Sequence, residues 1–177
     1  MSEVLLSVRD DFGTYQIGYE DAVKYHGRRY IAGVAVGFQC LNLAFAELSK
    51  DKPVERSKVR FFSGMRGLGV KDAVEMVARC VSGGRYIVDT GVVEGDSAPG
   101  TPGEGRFYFE VFYGTRMVRL RLKHGLVPDE FAPLCLKDEA KAIAQEELRR
   151  LQEIKENVAA YVIGHDPREI FDYEVLE

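Results

Sequence analysis

Three cysteines, three histidines and a pair of arginines are the side chains of this sequence with the most distinctive chemistry to offer, and their spacing limits what that chemistry is. Cys40, Cys80 and Cys135 are odd in number and lack paired spacing, which fits free thiols in a reducing cytoplasm. His26, His124 and His165 are scattered, without the Cys-x-x-Cys or His-x-x-x-His spacing of a zinc site. Cys80 is the candidate catalytic group, because a flexible Ser82-Gly83-Gly84 turn follows it closely. It also ends a predicted helix, where the dipole disfavours a thiolate, so Arg79 or Arg85 would have to lower its pKa. The alternative is a buried thiol, and Cys40, taken alone, reads as a core residue that the fold can bring near Cys80. His26 precedes Gly27 and the pair Arg28-Arg29. Two guanidinium groups there can grip a phosphate or carboxylate in bidentate fashion, or stand as plain surface cations. The candidate ligand-binding residues are thus His26, Arg28, Arg29, Cys40 and Arg85.

The element that must position them runs from Tyr30 to Ala46 without a charged residue. Val34, Phe38, Leu41, Phe45 and Leu48 recur at helical spacing and make a large-residue face. Gly33, Gly37, Cys40 and Ala44 make a second, small-residue face. A glycine inside a helix costs roughly 0.5–1 kcal/mol relative to alanine, so two on one face imply a close neighbour: another helix, a two-fold mate or a ligand. The stretch is long enough to raise a membrane span, but Gln39 and Asn42 interrupt it and no basic flank anchors its far end. The expectation is a buried helix and no membrane.

In chain order, Val4–Val8 reads as an edge strand, Asp10–Thr14 as a turn and Glu20–Tyr25 as a short helix. Lys58–Phe62 has strand character, and a glycine-rich segment, Ser63–Gly69, leads into a helix over Val70–Cys80. Such a segment can cradle phosphate with backbone N–H groups, although it has neither the P-loop ending nor the G-x-G-x-x-G spacing. Arg85–Val88 begins a sheet. Gly91–Gly105 carries five glycines and two prolines and reads as a long loop, either a lid or a mobile segment. Two runs, Phe107–Tyr113 and Arg116–Leu122, flank Gly114-Thr115 and predict a hairpin, with Val118, Leu120 and Leu122 on one face and Arg119, Arg121 and Lys123 on the other. A helix is predicted over Leu136–Ile163, with Ala140, Ile143, Leu148, Leu151, Ile154 and Val158 as its apolar stripe and a Glu146–Arg150 pair. Gly164 closes it, and Asp166-Pro167-Arg168-Glu169 opens another short helix with an Asp N-cap and a capping box.

The chain has 177 residues, 46% of them hydrophobic and 29% charged, which suits one soluble domain with a real core. A net charge of −4 gives no general reason to expect a nucleic-acid partner. No signal peptide is read at its start.

The His26-Gly27 turn and Gly33-x-Ala35-x-Gly37 resemble the start of the FmdE family of formylmethanofuran dehydrogenase components, whose turn reads His-Gly-His-x-Cys-Pro-Gly. Gly69-Val70-Lys71-Asp72-Ala73-Val74 and Ala78-Arg79-Cys80-Val81-Ser82-Gly83-Gly84 stand in the places of later family segments, and Glu169-Ile170-Phe171 is similar to family tails. The resemblance covers roughly residues 15–125 plus that ending. It also has departures: Arg29 stands where the family has its second His, Ile31 at its Cys, Ala32 at its Pro and Gly69 at another Cys, so that of the family cysteines only Cys80 survives. The resemblance implies an accessory or ligand- or metal-binding component of a molybdenum or tungsten one-carbon redox enzyme, connected with methanogenesis. It further implies Cys80 and His26 as the remaining ligands for a divalent metal such as zinc. Where the family holds a cation, Arg28 and Arg29 would keep positive charge without metal.

The expectation is an α+β domain with an antiparallel sheet, a buried glycine-containing helix and a long C-terminal helix. Residues 1–135 form the core, and residues 136–177 form a helical extension packed on that core or on a dimer mate. The partners are a second copy, through the small-residue face or the terminal helix, and molybdenum or tungsten enzyme subunits. The alternatives are a stand-alone enzyme using Cys80 under the 91–105 loop, and a site-less assembly protein.

Overall fold

The structure, a computed structural model, describes residues 3–50 and 52–177. Strands β1 (Leu5–Arg9) and β2 (Thr14–Gly18) form an antiparallel hairpin. Helices α1 (Tyr19–His26) and α2 (Ile31–Ser49) follow, and β3 (Val54–Glu55) returns to pair in parallel with β1. The Val4–Val8 run therefore lies in the centre of a three-stranded sheet and not at its edge.

The larger sheet has β4 (Val59–Met65), β5 (Tyr86–Val88), β6 (Gly105–Tyr113), β7 (Arg116–Leu122) and β8 (Phe171–Leu176), in the order β5-β4-β6-β7-β8. Only β4 and β5 run parallel, joined through α3 (Leu68–Ala78). Alternation sorts its faces. Phe61, Phe109, Val111, Val118, Leu120 and Leu122 point into the core, each 0–1% exposed. On the opposite face the β7 arginines meet cross-strand carboxylates: Arg119 lies 3.4 Å from Glu110, and Arg121 lies 2.8 Å from Glu174.

Helix α2 packs on the inner face through β6 and β7, with α1, α3 and α5 (Gln145–Gly164) among its other neighbours. Thirteen of its nineteen residues are buried. It is long and apolar enough to cross a membrane, yet it is the core of this domain. Its small-residue face is filled by α3 of the same chain. A Cβ on Gly37 would stand 3.0 Å from the Val70 Cα, and one on Gly33 would meet Gly69 at 3.4 Å. That face is therefore not open to a dimer mate.

The predicted Leu136–Ile163 helix is two helices. α4 (Phe131–Glu139) ends at Ala140, and Lys141, at φ +54°, turns the chain before α5 begins. Arg150 pairs with Glu130 of α4 and with Glu153, not with Glu146, because the break brings the two helices side by side. Leu148 is 44% exposed and leaves the apolar stripe, which runs through Leu151, Ile154, Val158, Ala159 and Val162. Asp166 caps the short α6 (Pro167–Ile170) by accepting from the Arg168 N–H, without the expected reciprocal bond from Glu169. Residues 136–177 thus lie on the core, with α5 against α2 and β8 as an edge strand of the larger sheet.

Gln39, 2% exposed, joins α2 to the end of α5. Its amide donates to the Val162 and His165 carbonyls at 2.8 and 3.1 Å, and its oxygen accepts from Asn42. Gln39→Leu is expected to destabilise the protein by about 1–3 kcal/mol, since two carbonyls lose their donor in a dry site. Urea unfolding followed by circular dichroism checks this. An unchanged midpoint would mean that water reaches those carbonyls.

Candidate functional site

The residues with the most conspicuous chemistry in the sequence do not gather into one site. Cys80 is fully buried, and burial pushes its thiol up to about 11 even though Arg85 pulls the other way. Arg85 is a backbone clamp: its guanidinium donates to the carbonyls of Arg56, Val59 and Arg79 and passes 3.7 Å from the Cys80 sulfur. Cys40 is also fully buried, its thiol raised well above the usual range by desolvation. Neither thiol has the exposure of a reactive cysteine, and at Cys80 burial outweighs the neighbouring guanidinium.

His26 faces α3, its Nδ1 2.7 Å from an Asp72 carboxylate oxygen. Its Nε2 is buried and without a hydrogen-bond partner among the described residues. Arg28 forms a fork with Glu156 of α5, and Arg29 lies 3.5 Å from Asp138 of α4. Both arginines therefore tie the turn before α2 to the C-terminal helices. Among the described residues no three His, Cys, Asp or Glu side chains come together to hold a metal ion. Cys80 and His26 do not make the zinc site that the family resemblance implies: Cys80 is sealed in the core, and among the described residues no set of ligands gathers around His26, whose Nδ1 meets Asp72.

The site that the fold does build lies beside these residues. A cavity of about 410 Å³ opens where the start of α2, the Met65–Gly69 connection, α4, α5 and residues 101–104 meet. This volume falls within the roughly 300–1,000 Å³ range of small-molecule pockets. Its walls are mostly apolar, with Val36, Phe107, Val127, Phe131 and Val158 among them. The glycine-rich Ser63–Gly69 segment contributes Gly67 and Gly69. Gly69 is glycine by necessity, because a Cβ there would stand 2.4 Å from the Tyr30 carbonyl oxygen. The predicted long loop supplies another wall. It is tied by its own bonds, Thr101 N–H to the Gly105 carbonyl at 3.1 Å and Phe107 N–H to the Pro99 carbonyl at 2.9 Å. Its Gly95 packs under Tyr108, where a Cβ would come within 3.0 Å of that ring.

One cation lies inside this apolar space. Lys155 of α5 is 4% exposed and lines the cavity. Among the described residues it has no hydrogen-bond acceptor and no carboxylate within ion-pair distance. Its ammonium stands 5.2 Å from the centre of the Tyr30 ring, a cation–π contact. Burial lowers its pKa below the usual lysine range, against the opposing pull of Cys135 and Asp138, with Arg29 adding to the lowering. Cys135, half-buried on the same wall, has its thiol raised by desolvation to about 11, with Lys155 moderating the rise. Glu104, Glu139, Arg66 and Leu68 stand exposed at the mouth.

Sequence reasoning passed over Lys155. A signal was present, because position 155 falls four residues after Leu151 and three before Val158, inside the stripe that faces the core. Compared with protein-family models and with curated proteins, the chain matches none.

Proposed function

We propose that this chain is a small-molecule-binding domain, in the accessory role implied by its resemblance to the FmdE family of formylmethanofuran dehydrogenase components. The ligand enters the cavity between α2, α3, α4 and α5 with an apolar body against Val36, Phe107 and Val158. The observation that carries this reading is the cavity itself: a preformed, mostly apolar space with the ammonium of one otherwise buried lysine on its wall, without a carboxylate partner among the described residues. An enzyme built on Cys80 has less support, since that thiol is enclosed and does not line the cavity. Association with molybdenum or tungsten enzyme subunits, self-association through a surface other than the small-residue face, and a cytoplasmic setting for the three free thiols belong to the same proposal.

The test is fluorescence of a neutral apolar dye, N-phenyl-1-naphthylamine, added to the full chain. Saturable enhancement is expected, and Val158→Phe, which fills the cavity from α5, should weaken it at least tenfold while a thermal melt shows the variant folded. A dye that does not bind, or that binds the variant equally well, overturns the cavity as a ligand site.

A further inference from the structure

We infer that the ligand of this cavity carries an anionic oxygen group, a carboxylate or a phosphate, held at the meeting point of two helix N-termini and Lys155. The inference rests on the cavity being a ligand site and assigns the chemistry of what it takes. Three independent features of the lining converge on it.

The first is the start of α2. Tyr30 occupies the cap position without making a side-chain cap, and the first turn has no acidic residue. The Ile31 and Val34 amides are engaged by the Arg28 and Tyr30 carbonyls, which leaves Ala32 and Gly33, both on the cavity wall, with amides that the helix cannot satisfy. The second is the start of α3, built the same way. Gly67 is the cap and has no side chain to offer, the first turn again lacks an acid, and Leu68 and Gly69 line the same cavity. Helices of nineteen and eleven residues therefore direct uncapped positive ends at one space.

The third is Lys155, more than nine-tenths buried and without an acidic partner among the described residues. A buried ammonium ordinarily has a counter-charge, and here that role falls to an oxygen acceptor brought by a ligand. The carboxylates near the cavity stay away from this ammonium. Glu104, Glu139 and Arg66 line the cavity but are exposed at its rim, so the two carboxylates there stand in solvent and Lys155 is the charge inside. An amphiphilic anion would therefore enter head first, its head at Gly33, Gly69 and Lys155 and its body against the apolar wall.

The test is displacement of N-phenyl-1-naphthylamine from the full chain by four ligands of equal chain length: octanoate, octyl phosphate, octanol and octylamine. Octanoate or octyl phosphate is expected to displace the dye at a concentration at least tenfold below octanol, with octylamine weakest. The ratio of the two anions tells which oxygen group the site prefers. In Lys155→Met the anion preference over octanol, each displacement scaled to that variant's own dye affinity, should fall to about threefold or less, and Lys155→Gln provides the same comparison should the first variant fold poorly. Equal displacement by octanoate, octyl phosphate and octanol overturns the inference and leaves the cavity reading standing, as does a preference that survives both substitutions. Absence of dye binding by the unaltered protein removes the cavity reading and this inference with it.

Discussion

Gly69→Ala is expected to lower the unfolding free energy by about 3 kcal/mol and the melting temperature by about 6–12 °C. The added methyl would stand 2.4 Å from the Tyr30 carbonyl oxygen, 2.8 Å from the Val34 nitrogen and 3.0 Å from the Gly33 carbonyl carbon. All three are backbone atoms of the start of α2, so no side chain can swing aside. Relief requires α2 and α3 to separate along the face where Gly37 and Val70 already touch. Gly33→Ala is the matched control. Its methyl meets Gly69 and Val70 at 3.4 Å, an ordinary contact, and alanine recovers up to about 1 kcal/mol of helix propensity. Differential scanning calorimetry of the two variants should separate them clearly. A Gly69→Ala protein melting within about 2 °C of the parent would refute the close approach of the two helices.

Lys155→Met should act in the opposite direction, raising stability near neutral pH by about 1–2 kcal/mol in the absence of ligand. Methionine keeps most of the volume and removes a charge that burial disfavours. The pH dependence identifies the cause. Burial lowers the folded-state pKa of this lysine below its unfolded value, so between the two the unfolded chain binds more protons and stability rises with pH. The penalty is fully present below the folded pKa and disappears above the unfolded value of about 10.4. The advantage of the methionine variant should therefore shrink as pH climbs toward about 10.5, apart from the contribution of Cys135, whose thiol, raised to about 11 on the same wall, titrates just above that window. Urea midpoints at pH 7 and pH 10 test this. A variant less stable than the parent at pH 7, or an advantage that grows with pH, would show that the ammonium has a stabilising partner.

Much of this architecture is legible in the residues. An uncharged run with glycines at helical spacing marks a core helix with a close neighbour, and α3 is that neighbour. Gly114-Thr115 between two alternating runs marks the hairpin, and the concentration of glycine and proline marks the loop over 91–105. The break between α4 and α5 left no such mark. Ala140, Ala142, Ile143 and Ala144 all suit a helix, and the chain turns at Lys141 because α4 and α5 pack side by side, a tertiary demand that outweighs local propensity. Strand β8 was masked by the helix start at Asp166-Pro167 just before it, although Phe171, Tyr173 and Val175 alternate. The site was obscured for another reason: its groups are backbone amides and a lysine that looks like any other on a helical wheel. Reactive-looking side chains drew attention to Cys80, which packs in the core.

The position of α5 and β8 late in the chain matters while the protein is being made. Helix α2 leaves the ribosome some hundred residues ahead of α5, the partner that covers one of its sides, and well before β8 completes the sheet beneath it. At ordinary synthesis rates that interval is roughly 5–20 s. Throughout it, a helix apolar enough to enter a bilayer has only part of its shelter. The nascent chain thus carries an incompletely covered apolar helix until α5 is made, and the cavity gains its last wall residues, Lys155 and Val158, only with that helix.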